Sequence, residues 1–439
     1  MTPGTLGRRA GLLAAGAVAV VATAPGDAGA DATAVVAIVH GKVYLPDGRP
    51  PLTDGTIVIA GGKVQAVGAN AAVPAGAVTI DARGKVVTPG FIDARTDVGV
   101  VDVDLEPQSD DTDVRGSTMT PALRILDGYN PRSVVVPITR AGGVTSVVVS
   151  PRSGVLGGQA AFVDLAGDTV ADSVVRPALA QLAQVDEETA QESAGTRGGM
   201  WLMLREALDD ARFYSTHRAQ YDANGVRQLS LRRSALEALV PVVTGQQPLM
   251  VEAHRASDIE AALRLSDDLK VKIILEGASE GWMMADDLAR RKVPVIVDPI
   301  EDLPSRFDRL HSRSDNAALL SRAGVNLIIT TWGASDRFTS HQPRLLWQHA
   351  GNAVRLGMDH DAAIRAVTQA PADAFGLKGY GRLEPGAVGN VVVWSGDPLE
   401  TSTRVEHVFV RGREQSLRTR QTLLLERYRK LPLPRDGTR

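Results

Sequence analysis

Between Val144 and Thr330 the chain keeps returning to short, unbroken β-branched runs separated by helix-length segments, and few folds accept that pattern. The runs are Val144 to Val149, Leu249 to His254, Val271 to Leu275, Val293 to Val297 and Val325 to Thr330. A strand that is apolar at every position is buried on both faces, which is the habit of parallel sheets covered by helices. Helices are predicted at Ser257 to Leu269, with Ser257 as cap, at Glu280 to Arg291 and at Asn316 to Ala323. Strand, helix, strand in that order makes right-handed crossovers. About eight such units fit between Val86 and Leu377, so a (β/α)8 barrel is the predicted closure. Val174 to Tyr214 reads as mostly helical, an insertion over one barrel face.

The two ends of the chain follow a different rule. Val35 to Val87 is a series of short strands, with a hairpin predicted at Gly61-Gly62 because paired glycines supply the positive φ of a tight turn. β character returns after Pro385-Gly386, in Asn390 to Trp394 and Val405 to Val410. These late strands are too few to fold alone, so they are expected to complete the early ones. The predicted organisation is an export signal at 1–30, a first β-sandwich segment at 31–88, the barrel at 89–384, a second β-sandwich segment at 385–415 and a helical tail at 416–439. The fold class is α/β: a TIM-like barrel with a small discontinuous β-sandwich domain from both chain ends.

Arg8 and Arg9 precede the apolar run Ala10 to Ala24, and Ala28-Gly29-Ala30 fits a small-residue cleavage site. The run is short of the ~20 residues a membrane span needs, so it reads as a removable signal, resembling the twin-arginine type, and no transmembrane segment is expected after its removal. An exported protein, periplasmic or extracellular, is the expectation. The chain has no cysteine, which excludes disulfides, thiolate metal sites and cysteine nucleophiles. A net charge of -3 carries no electrostatic footprint for nucleic acid. Any chemistry falls to carboxylates, hydroxyls and eight histidines.

Pro89-Gly90-Phe91-Ile92-Asp93, with Ala366 to Ala372, Gly381-Arg382-Leu383-Glu384-Pro385-Gly386 and Val393 to Pro398, resembles the signature run of the amidohydrolase superfamily, in its imidazolonepropionase-like branch. The resemblance implies a metal-dependent barrel flanked by a β domain built from both chain ends. It also implies hydrolysis of non-peptide C–N bonds in a small-molecule amide or cyclic amide. Several positions depart from the family pattern. The paired histidines that follow the opening motif are here Arg95 and Asp97. His254 matches the strand-five histidine. Gly277, after Glu276, stands where the strand-six histidine belongs, and Trp332 stands at the strand-eight aspartate, with Asp336 beyond it. No lysine lies between Lys85 and Lys270 to bridge two metals.

An arginine offers no lone pair to a metal, and a hydrolytic site needs about three protein ligands. No metal or other cofactor is therefore expected; a zinc-like divalent ion is expected only if the family site survives in altered form. Catalytic candidates are His254, Arg95 and Asp97, within a pocket of Glu252, Glu276, Gly277 and Trp332. Arg95 is predicted to take the metal's electrostatic role by pairing with Asp97, Glu252 or Glu276. Three functions stay open: a C–N hydrolase with an altered metal site, a metal-free hydrolase using His254 as base and Arg95 on the oxyanion, and an inactive barrel that binds a ligand or partner. Gly277-Ala278-Ser279-Glu280-Gly281 fits G-x-S-x-G, but Ser279 is read as a helix cap.

Overall fold

The computed structural model of the chain describes residues 34–152, 154–301, 303–333 and 340–429; the predicted export signal, the last ten residues and Asp336 lie outside them. Five strands come first: β1 (Val36–Val43), β2 (Leu52–Ala60), β3 (Lys63–Gly68), β4 (Val78–Asp81) and β5 (Val86–Pro89). The barrel strands are β6 (Phe91–Thr96), β7 (Val144–Val149), β8 (Gly158–Asp164), β9 (Val174–Gln184), β10 (Leu249–Ala253), β11 (Ile273–Gly277), β12 (Val295–Val297) and β13 (Leu327–Ile329). Three more close the chain: β14 (Val391–Trp394), β15 (Val405–Val410) and β16 (Arg413–Gln415).

The early and late strands share one sheet, ordered β16-β15-β14-β5-β1-β2-β3, with β4 also on β1. Their junction is the antiparallel pair β14 and β5, in which Val393 faces Val87. Hydrogen bonding makes one continuous eight-stranded sheet rather than two, because β1 bends at Gly41 and pairs with β4 and then β5 along one edge. Ile38, Ile57, Ile59, Val87, Val391 and Phe409 form its core. Gly61 and Gly62 turn the β2–β3 hairpin at φ 59° and 79°, as paired glycines should.

The second sheet runs β6 to β13 in chain order. All its neighbours are parallel except β8, which is antiparallel to both β7 and β9. The predicted helical insertion at Val174 to Tyr214 is thus corrected: its first eleven residues are β9. Gln, Leu and Ala favour a helix in isolation, but pairing with β8 on one edge and β10 on the other outweighs that weak preference. The helix Arg197–Asp222 begins only afterwards. Ile92, Val148, Met250, Ile274, Ile296 and Ile328 fill the barrel, and Phe375, Leu377 and Tyr380 pack beneath them. Each such burial is worth roughly 1.5–3 kcal/mol.

The seam between β13 and β6 is closed by side chains. Thr330 Oγ1 and Thr331 Oγ1 donate to the two oxygens of Asp93 at 2.6 and 2.8 Å. Burial pushes the Asp93 carboxyl up to about 6 despite these donors. The joint between barrel and β domain is polar as well. Asp164, fully buried on β8, accepts from Ser146 Oγ (2.7 Å), Tyr380 OH (3.0 Å), Asn390 Nδ2 (3.2 Å) and Arg411 Nε. Trp394 adds an apolar contact, its ring 5.0 Å from Phe91 and its Nε1 donating to Thr88 Oγ1. Among the described residues no helix is long and apolar enough to cross a membrane.

Candidate active site at the barrel mouth

Side chains at the carboxyl ends of barrel strands face the mouth, where barrel enzymes carry their chemistry. Arg95, at the end of β6, is completely buried. Its Nε donates to Glu276 Oε1 at 2.8 Å, Nη1 to Pro151 O, and Nη2 to Arg152 O at 3.2 Å. The Trp332 ring covers the guanidinium with its centroid 4.4 Å from Cζ. Of the three partners expected for Arg95, the structure selects Glu276. Asp97, also fully buried, instead accepts from Arg152 Nη2 at 3.0 Å. Trp332 serves as the lid of a cation.

Glu252 and Glu276 lie opposite each other in the β10–β11 ladder and are both buried. Their environments separate them. Burial pushes Glu276 up to about 7, in spite of Arg95, and the charge on Glu252 adds to the rise. Burial acts on Glu252 in the same direction, but His254, Arg95 and Arg309 together hold it down at about 2. One carboxyl therefore stays ionised while the other titrates near neutrality, a division of labour that acid–base sites exploit.

His254, two residues beyond Glu252, has both ring nitrogens engaged. Nδ1 lies 2.8 Å from Ser279 Oγ, while Nε2 lies 3.0 Å from Arg309 Nη2 and 3.3 Å from Glu252 Oε1. An arginine can only donate. In the neutral ring, then, Nε2 accepts from Arg309 and Nδ1–H donates to Ser279; in the protonated ring, Nε2–H donates to Glu252. Ser279 does not cap the following helix as expected, since its hydroxyl is spent on His254. It sits beyond a sharp turn in which Gly277 and Ala278 both have positive φ, 81° and 42°.

That turn explains Gly277. A Cβ there would stand 2.3 Å from His254 Cε1, so the imidazole occupies the space a larger residue would need. Gly277→Ala should consequently destabilise the protein by about 1–3 kcal/mol through clash and left-handed strain. Urea unfolding measures it, and a midpoint unchanged from the parent would mean that His254 does not lie there.

Glu252 and Trp332 open onto a cavity of about 670 Å³, lined also by Arg152, Gln184, Asp186 and Arg309, among others. Arg95, Asp97, His254, Glu276 and Gly277 stand behind that lining. Sequence reasoning does not single out Arg309 or Arg152. Arg309 ends a single 3-10 turn, Phe307–Arg309, too short to leave a periodic signal in the sequence, and it also pairs with Glu301. The remaining histidines are elsewhere; His349, paired with Asp298 at 2.8 Å, sits at the edge of a smaller cavity. Among the described residues no three His, Asp or Glu side chains converge as metal ligands would.

Comparison with known proteins bears on this arrangement. Residues 255–414 match the amidohydrolase family. The chain is 23% identical over 377 residues to the amidohydrolase tasK of Hapsidospora irregularis, a match that takes in 78% of this chain and 38% of that protein's length. An amidohydrolase from Thermotoga maritima superposes with a TM-score of 0.79 at 25% identity, over 87% of this chain and 100% of its own. An adenosine deaminase from Xanthomonas campestris with bound zinc shares the fold alone: TM-score 0.50 and 17% identity, over 90% of this chain and 97% of that one.

Proposed function

From its place in the amidohydrolase superfamily, to which the chain belongs, we propose that it is an exported hydrolase of non-peptide C–N bonds in small amides or cyclic amides, working through side chains where its relatives usually hold a divalent metal. The motifs from Gly381 to Pro398 favour the imidazolonepropionase-like branch. The residues at the mouth do not fit a divalent ion. A guanidinium stands at one ligand position, a glycine and a tryptophan at two more, and the retained His254 has both nitrogens committed.

The observation that carries the reading is His254 Nε2, which lies directly behind the lining of a polar cavity, between the donor Arg309 and the acceptor Glu252, both of which belong to that lining. A substrate carbonyl entering the cavity would draw Arg309 onto its oxygen and release the Nε2 lone pair. His254 then takes a proton from water as the water oxygen bonds to the carbonyl carbon. Glu252, ionised, steadies the imidazolium, and the same proton passes to the departing nitrogen as the C–N bond breaks. Ser279 positions the ring. Arg95 lies too deep to reach a substrate and supplies the charge that lets Glu276 be buried, while Asp97 anchors Arg152.

Turnover of N-acyl amino acids and cyclic amides, measured before and after chelation, tests this. Activity should survive the chelator and fall on the order of 10²–10⁴-fold in His254→Asn. Metal near one per chain, removable together with the activity, would restore the ordinary family mechanism. Saturable binding of the same compounds without turnover would support the ligand-binding reading, which the complete engagement of His254 favours. Export predicts a secreted form that starts near Asp31; an intact mass that still includes Met1 to Ala30 would disprove it.

A further inference from the structure

A second, larger cavity of about 870 Å³ opens at the opposite end of the barrel, beneath the starts of β10, β11 and β12. This end of a barrel ordinarily serves stability rather than chemistry. Its size lies within the range of small-molecule sites.

Two independent features set its lining apart. The first is Gln247, just before β10, which is only 4% exposed and whose Nε2 has no hydrogen-bond partner. A buried amide donor left unpaired is costly, and in folded proteins such a group nearly always meets an acceptor. The second is charge. Lys272 and Lys292, immediately before β11 and before the Val293-Pro294 approach to β12, line the cavity and have no ion-pair partner among the described residues. Arg176 lines it too, donating through Nη1 to Phe375 O at 3.0 Å.

The carboxylates of the same lining are already committed. Glu237 is held by Arg233 and Tyr214, and Asp373 by Arg365 and Arg382. Neither is left to neutralise the lysines. Arg291, in turn, is satisfied by Asp267 and Asp287.

We propose that the cavity at the barrel floor, through Gln247, Lys272, Lys292 and Arg176, binds a small multivalent anion by its carboxylate or phosphate oxygens. Lysines act as point charges toward such oxygens, and the amide of Gln247 supplies a directed donor from the buried side. The site shares no residue with the barrel mouth and does not depend on the hydrolytic reading.

Isothermal titration of the full chain with inorganic phosphate and, separately, citrate, at matched ionic strength in sodium chloride, tests it. Saturable binding of either at one site per chain is expected, and the stronger of the two identifies the oxygen class. Lys272→Gln with Lys292→Gln should weaken binding by roughly tenfold or more. Both lysines are exposed, so this variant should fold normally. Gln247→Leu should weaken binding as well, whereas His254→Asn at the mouth should leave it unchanged. Absence of saturable binding by both anions, or binding that the double lysine variant does not alter, would overturn the proposal.

Discussion

Arg95→Ala should cost the fold about 3–5 kcal/mol at pH 8 and distinctly less at pH 5. The first figure is what removing one partner of a buried ion pair typically costs, because the other charge remains without water. Arg95 has no exposed side-chain surface and Glu276 only 3%, so solvent cannot take over. The pH dependence follows from Glu276. Its folded-state value, about 7, lies above the ordinary carboxyl value of 4.5. A raised carboxyl binds its proton more tightly in the folded state. Its stabilising contribution is full below about 4.5 and is lost as pH rises through about 7. Below that window Glu276 is neutral and can do without the guanidinium; above it the carboxylate depends on Arg95. Urea unfolding of parent and variant at both pH values measures the difference, and Arg95→Ala with Glu276→Gln should recover much of the loss at pH 8. Equal losses at pH 5 and pH 8, or no recovery in the double variant, would show that Arg95 acts by packing rather than by charge.

Asp164→Ala should be comparably severe, about 3–5 kcal/mol, although it lies far from the mouth. The carboxylate gathers donors from β7, from the chain leading into the β domain and from the β15–β16 turn. Truncation leaves the Ser146 and Tyr380 hydroxyls with buried donors unmet, each costing about 1–3 kcal/mol before relaxation, and removes the carboxylate partner of Arg411, which keeps only the carbonyls of Asp172 and Ser173. Asp164→Asn keeps an acceptor and should lose less. Hydrogen exchange offers a local readout: protection in β14 to β16 should fall before protection in β10 to β13. An unfolding midpoint for Asp164→Ala equal to the parent's would mean that the two domains are held by their other contacts, the Phe91–Trp394 packing and the Gly90 N–H to Asn390 O hydrogen bond among them.

Much of this protein is written locally. β-branched runs between helical segments specify a parallel barrel because such strands must be covered on both faces, and they do so whatever the neighbouring residues turn out to be. Strand periodicity likewise brings Arg95 and Asp97, and Glu252 and His254, to strand ends, so the membership of the mouth is legible without any contact being known. What each member does there is not. Arg95 meets Glu276 across 181 residues of chain, and Arg309 meets His254 across 55, separations that no local pattern encodes. Ser279 reads as a cap by position, yet its hydroxyl goes to the imidazole, because His254 lies over Gly277 and brings Nδ1 within reach. Val174–Gln184 reads as helical by composition, and only the two strands flanking it make it β9. Propensity and periodicity act over a few residues at a fraction of a kcal/mol each, whereas buried charge pairs and two-sided strand pairing are each worth more and exist only once distant segments have met.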